Sequence, residues 1–396
     1  MPKSRKRKPR RSSKTRPVRR TRAANGWGEF EPWARAMVMA DEAEARGDAN
    51  GALDVMNAFM IGPDGKEFWR VWRMKYLLQI ANLGEILPPW ATSRWICNQA
   101  LQCLHEGNRD RIRRAFDAAV ELRGKIDPPA VGDAADVHAW VADRSWVYRQ
   151  LFLFELGGLE FFVRRIASST LLADADSIDM WPGTPMGAYE LVESGPAVVT
   201  WLDLASNTLH MDANIGSAVF VGPGEHAIGR LVPIEGGVMF ECQPLSVPKQ
   251  VAYAVAERPA DWLQAMQAAE EPILTLTRPQ DSVVSDVPAL VWQLALVGDD
   301  LRPGDPGGEG FSAALSRAVL DAGARELRHE AEDRPDGEVD IWACLGAALL
   351  EPYVVAALPE VWRPADRRLF ERLGEVLARP ASDLCLAAAQ ELSEAA

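Results

Sequence analysis

One stretch of the chain, residues 187–248, has the pattern of short β-strands and lies between two long regions with helical periodicity. β-Branched and apolar residues occur there in short runs that are separated by Asn, Gly or Pro. Intervals of this length leave no room for the helical crossovers that parallel strands require. We therefore predict an α+β protein, mostly helical, with a central small antiparallel β meander or barrel between two helical regions.

Several short segments of this stretch are candidate strands. The turn at Glu235-Gly236-Gly237 predicts a tight hairpin between the last two of them. The candidate strands are residues 197–204, 208–211, 218–221, 228–234 and 239–242.

The region before the β stretch has helical periodicity from about Pro32 to Leu172. Pro32 suits a first helical turn, and Asp48 can cap the helix that follows it. Residues 40–53 resemble half of a helical hairpin of the tetratricopeptide type. Solenoids need several copies and none follows 34 residues later, so we predict a single hairpin. Residues 142–167 are predicted to form one long helix that is buried on most sides.

A length of 396 residues predicts two or three domains. After the β stretch, helical patterns return at residues 248–257, 259–269, 287–297, 311–327, 338–350, 364–378 and 382–392. The predicted divisions are a disordered basic tail (1–24), a helical domain (25–172), a small antiparallel β module (183–248) and a C-terminal helical domain (249–396).

The first 24 residues contain a dense run of positive charge and no acidic residue. Apart from Met1 at the terminus, Val18 is the one sizeable apolar side chain among them, which is too little to offset the entropy of an ordered chain. The sequence therefore predicts a disordered basic arm. Its twelve cationic residues are Lys3, Arg5, Lys6, Arg7, Lys8, Arg10, Arg11, Lys14, Arg16, Arg19, Arg20 and Arg22.

The remainder of the chain has the opposite charge. Without the twelve arm residues, 31 of the 43 Lys and Arg remain against 56 Asp and Glu, a net charge of about −25. An acidic body repels nucleic acid and anionic lipid, so any attraction to a polyanion must come from the arm. We predict that the arm binds nucleic acid or an acidic protein, and that the chain has no membrane partner. In an alternative hypothesis, the protein is an interaction module whose arm docks on its own body and is autoinhibitory.

Motifs for catalysis, metals and cofactors are absent from the sequence. None of the five His residues has HxxxH or HExxH spacing, and no metal or cofactor is predicted. A second alternative is an enzyme of an unrecognised family with a site beside the β module. The residues that would form such a site are Asp203, His210, His226, Arg230 and Glu241.

The cysteines indicate a reducing compartment. Five Cys are scattered along the chain without CxxC spacing, a pattern that favours apolar packing over disulfides. We therefore predict a cytoplasmic protein.

A second group of cations, Arg70, Arg73 and Lys75, lies beside Trp69 and Trp72. Such interleaving can stack nucleobases. The indoles fall on an apolar helical stripe, however, so we predict a core face with the cations on a solvated face.

Overall fold

A computed structural model describes residues 31–103, 105–123, 141–270, 273, 282–297, 310–329 and 340–394. Within these ranges the chain is mostly helical, and a small antiparallel sheet lies between helical regions, as predicted. The arm lies outside the described residues.

The helices before the sheet follow the predicted order. Asp48 caps the second of them, because its Oδ1 accepts a hydrogen bond from the Gly51 amide at 2.8 Å. These helices are α1 (Glu31–Ala45), α2 (Ala49–Ala58), α3 (Val71–Leu83), α4 (Pro89–Gln102), α5 (Arg109–Arg123), α6 (Trp146–Gln150), α7 (Gly158–Arg165) and α8 (Ser169–Ala173).

The predicted long helix over residues 142–167 is wrong. After α6 the backbone forms a π-helical turn over Leu151–Glu155, and the Leu156 amide bonds to the Leu151 carbonyl at 2.9 Å. The chain then passes through Gly157 before α7 begins. The apolar run does lie in the core, as predicted, because Phe152 and Leu153 are fully buried.

The sheet has the strand order β3-β2-β1-β4-β7, and every neighbouring pair is antiparallel. Strands β5 and β6 form a separate hairpin around Gly236, which has a φ of +90° and thus confirms the predicted tight turn. The described strands do not close into a barrel. They are β1 (Gly187–Ser194), β2 (Val198–Asp203), β3 (Thr208–Ala213), β4 (His226–Gly229), β5 (Leu231–Ile234), β6 (Gly237–Phe240) and β7 (Leu245–Ser246).

Three details of the predicted strands are corrected. Residues 218–221 form a turn and not a strand. The predicted strand 228–234 is two strands, which separate at Arg230. β1, which pairs with both β2 and β4, was not among the candidates.

The helices after the sheet occupy the predicted regions, with one addition. Helix α14, which contains Pro359, was not predicted. The set is α9 (Lys249–Glu257), α10 (Trp262–Gln267), α11 (Ala289–Leu296), α12 (Phe311–His329), α13 (Ile341–Leu349), α14 (Pro352–Val361), α15 (Arg367–Val376) and α16 (Ala381–Glu394).

One apolar core extends from α1 to α16, and a smaller core lies inside the sheet. In the smaller core the Phe240 ring packs edge-on against Tyr189 and Trp201, with centroids 5.1 and 5.3 Å apart. Polar contacts also join α3 to the start of α14. Gln79 donates to the Leu350 carbonyl at 2.9 Å, and Lys75 pairs with Glu351 at 2.8 Å. The division into domains stays a prediction.

No single helix among the described ranges is long and apolar enough to cross a membrane. The helices α13 and α14 reach that length and hydropathy only as a pair, with a bend of 77° between them.

Asp340 ties the sheet to the first turn of α13. Its Oδ1 accepts from the Ala343 amide at 3.0 Å, and its Oδ2 accepts from Ser194 at 2.6 Å and Asn214 at 2.8 Å. We expect Asp340→Ala to lower the free energy of unfolding by about 1–3 kcal/mol, because it removes a cap together with two contacts between elements. Urea denaturation measures this change.

Asp48→Ala is the matched control, because it removes an N-cap hydrogen bond of the same kind from α2. We expect it to cost about 1 kcal/mol. An equal loss in the two variants would show that the contacts of Asp340 with the sheet contribute nothing.

Candidate functional site

A buried hydrogen-bonded network joins the helices to the sheet, and its centre is an ion pair. The Arg149 Nη2 donates to Glu241 Oε2 at 2.9 Å, and Nε donates to the same oxygen at 3.1 Å. Arg149 is 2% exposed and Glu241 is 1% exposed. We call this set the Arg149 network; it consists of Asn98, Arg149, Gln150, Glu155, Arg230 and Glu241.

The network extends from the ion pair toward the surface. Gln150 donates to Glu241 and accepts from Arg230 Nε at 2.9 Å. Arg230 Nη2 in turn donates to Glu155 at 2.5 Å, and its guanidinium lies over the Phe154 ring, 4.5 Å from the centroid. The Glu155 side chain is 39% exposed, so one end of the network reaches solvent.

The π-helical turn over Leu151–Glu155 lies inside this network. Gln150 immediately precedes the turn, and Glu155 is its last residue. Turns of this kind occur often at functional sites. Here Gln150, just before the turn, and Glu155, at its end, both accept hydrogen bonds from Arg230, which lies between β4 and β5.

The electrostatics of the network favour a fixed ion pair over acid–base chemistry. Burial alone would raise the pKa of Glu241, but the Arg149 guanidinium, with hydrogen bonds from Arg149, Cys242 and Gln150, holds that pKa below its usual value. Burial, and then the neighbouring Glu241 carboxylate, raise the pKa of the Cys242 thiol well above the ordinary range. Glu241 therefore stays ionised, and Cys242 stays a protonated thiol without nucleophilic character.

A second buried group joins three regions of the chain at Arg94 of α4. Its Nη1 and Nη2 donate to the two carboxylate oxygens of Asp286 at 3.0 and 3.1 Å. Nη2 also donates to the Phe240 carbonyl of β6 at 2.7 Å. Asp212 of β3 is buried nearby and interacts with the charges of both Arg94 and Asp286. We call these four residues the Arg94 joint.

The five residues proposed for an enzymatic site occupy three separate places. Arg230 and Glu241 belong to the Arg149 network and share Gln150. Asp203 of β2 and His210 of β3 are diagonal neighbours on adjacent strands, with 4.0 Å between Oδ2 and Nε2. His226 lies 3.5 Å from Glu190 of β1. No hydrogen bond or ion pair between these described residues joins the three sets.

The aromatic and cationic cluster on α3 differs in part from the prediction. Trp69 is buried, as expected for a core face. Arg73, however, is also buried, and its Nε donates to Glu44 at 2.6 Å. The prediction of a solvated face was wrong for Arg73, because Glu44 of α1 offers it a partner inside the core.

The arm, with all twelve of its predicted polyanion-binding residues, lies outside the described part of the chain. Within the described part, no group of three or more His, Cys, Asp or Glu side chains is placed to hold a metal ion. All five cysteines are free thiols, and burial raises the pKa of Cys97 and Cys385.

The residues at the centres of both buried groups are not evident from the sequence. Arg94, Arg149, Gln150 and Asp286 have partners between 80 and 192 positions away, so no local motif marks them. One signal was available for Arg149, which lies two positions before a nearly all-apolar run that starts at Leu151. A buried helix that carries an arginine requires a carboxylate from elsewhere in the fold.

Comparisons of the chain with protein-family models, with curated proteins and with solved structures gave no match.

Proposed function

We propose that the protein is a non-enzymatic cytoplasmic binding protein whose N-terminal arm, residues 1–24, binds nucleic acid or another polyanion. The observation that carries the proposal is the separation of charge along the chain. Twelve cations and no acidic residue precede a body with a net charge of about −25.

The ion pairs on the described surface support a role for the arm. Several arginines on helices or beside them, most of them exposed, pair with a carboxylate three or four positions away, which lowers the positive potential that the body presents to a polyanion. These pairs are Arg35–Glu31, Arg113–Asp110, Arg164–Glu160, Arg258–Asp261, Arg317–Asp321, Arg367–Glu371, Arg372–Glu375 and Arg379–Asp383.

The size of the arm sets the scale of the interaction. A coil of 24 residues has an end-to-end distance of about 25–30 Å, so the arm can reach a ligand beyond the acidic body. Twelve cations neutralise at most twelve phosphates, which limits the salt dependence on duplex DNA to a slope of about −11.

The test compares the full chain with a variant that lacks residues 1–24, using fluorescent duplex DNA and RNA at 50 and 200 mM salt. We expect the full chain to bind and to lose about 10³-fold or more in affinity at the higher salt, if it contacts six or more phosphates. The deletion variant should not bind. A variant with the arm residues in scrambled order is the control, and it should bind like the full chain because the interaction depends on charge.

Equally weak binding by the full chain and the deletion variant would refute the proposal. If deletion instead raises the affinity for a basic protein, the arm acts as an autoinhibitory segment on its own body.

A further inference from the structure

The Arg94 joint contains two buried carboxyl groups and one guanidinium. Arg94 directs both of its terminal nitrogens at Asp286 and Phe240, and it makes no salt bridge with Asp212. Among the described residues, neither Asp212 Oδ2 nor Arg94 Nε has a hydrogen-bond partner. Asp212 is only 4% exposed.

Groups from three elements face Asp212, and two of these groups are charged. Arg94 comes from α4, and Asp286 comes from the segment after the sheet. β6 contributes only an uncharged backbone amide, that of Phe240. Behind Asp286 lies the ion pair of Arg149 and Glu241, which is neutral as a unit. An ionised Asp212 therefore leaves this buried group with one negative charge in excess, and a charge of that kind is costly to bury.

The segment that carries Asp286 is an irregular connection with bends, residues 282–287, which we call the strap. Its contacts join three regions of the chain. The Asp286 amide donates to the Ile215 carbonyl at 2.7 Å, and the Val283 amide donates to Gln79 Oε1 at 3.0 Å. Residues Val283 to Val287 are all buried. The strap also pairs with Arg94 through the Asp286 side chain, and the Asp212 carboxyl competes for the same guanidinium.

We propose that the Arg94 joint is a pH-sensitive contact in which protonated Asp212 keeps the strap docked and ionised Asp212 loosens it. The excess of carboxylates over guanidinium carries the proposal. The direction in which the pKa of Asp212 is shifted agrees with the proposal. Burial, opposed by Arg94 and reinforced by Asp286, raises the pKa of Asp212 to about 7.

The sign of the pH dependence follows from proton linkage. When the strap opens, Asp212 meets water and its pKa returns toward 3.8. Between about pH 4 and pH 7 the docked state therefore holds a proton that the open state releases. Opening becomes more favourable as the pH rises, by up to about tenfold per pH unit, and it levels off above about pH 7. A lower pH therefore stabilises the docked state of the strap.

Hydrogen exchange of the strap amides in the intact chain at pH 5, 6, 7 and 8, divided by the intrinsic rates, tests the proposal. We expect the opening constant to rise by nearly tenfold from pH 5 to pH 6, by about fivefold from pH 6 to pH 7, and by about twofold or less from pH 7 to pH 8. Asp212→Asn keeps the shape of the side chain and cannot ionise, so its opening constant should rise much less with pH than that of the unmodified chain. The remaining dependence comes from Asp286, because burial raises the pKa of that carboxyl too. An identical pH profile for the two proteins would overturn the proposal, as would an opening constant that falls with rising pH.

Asp286→Asn provides an independent check. This change leaves Arg94 with Asp212 as its one ionisable partner in the joint, so the pKa of Asp212 should fall and the pH response should move to lower pH. Asp117→Asn, at an exposed position on α5, is the control and should reproduce the profile of the unmodified chain. If the opening constant of Asp286→Asn changes over the same pH range as in the unmodified chain, the two carboxyl groups do not compete for Arg94.

Discussion

Replacement of Arg149 by methionine should lower the free energy of unfolding by about 3–5 kcal/mol, because Glu241 would remain as a buried charge without its counterion. Glu241 is 1% exposed and cannot regain water without opening the contact between α6 and the sheet. The same change removes the hydrogen bond from Arg149 to Asn98 at 2.9 Å. Urea denaturation followed by tryptophan fluorescence measures the loss, because buried Trp146 and Trp262 pack edge-on nearby.

Two further variants show whether the buried charge is the cause. Arg149→Met combined with Glu241→Leu removes both charges, and we expect this double variant to be more stable than the single one. Arg164→Met breaks an exposed pair with Glu160 and should cost less than about 1 kcal/mol. If Arg149→Met costs no more than Arg164→Met, the Arg149 network does not hold the helices to the sheet.

The parts of the fold that were predicted from the sequence are those with a local physical cause. Asp48 accepts a hydrogen bond three residues ahead of itself, and a helix that starts there needs no information from elsewhere. Gly236 permits the positive φ of a tight hairpin turn. The antiparallel arrangement followed from the short intervals between strands, which is also a local property.

The parts that were not predicted depend on partners far away in sequence. The break in the predicted helix over residues 142–167 lies where Gln150 and Glu155 bond to Arg230, 80 and 75 positions further on. The predicted strand 228–234 divides at Arg230, the same residue that these side chains bind. Periodicity reports which side of an element is apolar, but it carries no information about which charge a distant element supplies.

The residues of the candidate site were even harder to predict from the sequence, because their partners are distant in the chain. Three of the five residues chosen for an enzymatic site, Asp203, His210 and His226, were selected for their side-chain chemistry, and they pair with near neighbours on the sheet. Arg94 and Asp286 lie 192 positions apart and had no feature that would relate them before the chain folds. The arm is the opposite case, because its charge run is visible in the sequence alone.

Substitution of Gly216 by alanine should destabilise the protein by about 2–4 kcal/mol and should undock the strap. Gly216 has a φ of +106°, a conformation that strains a residue with a Cβ atom. A Cβ atom there would lie 2.9 Å from the Val287 backbone nitrogen and 2.4 Å from its Cγ2. The backbone nitrogen cannot rotate away as a side chain can, so the end of the strap must shift. Urea denaturation gives the loss of stability, and hydrogen exchange of the strap amides shows where it arises.

Gly236→Ala is a control that introduces backbone strain without a steric clash. Gly236 has a similar φ of +90°, but nothing lies within 4 Å of the position that its Cβ atom would take. The control should therefore cost about 1–2 kcal/mol for the backbone alone, and it should leave exchange in the strap unchanged. The additional loss in Gly216→Ala, about 1–3 kcal/mol, measures how closely the strap packs on the loop after β3. The two variants could instead lose the same free energy of unfolding, with the strap amides still protected from exchange. The strap would then adjust to the added methyl group without loss of stability, and its docking on this loop would contribute little to the fold.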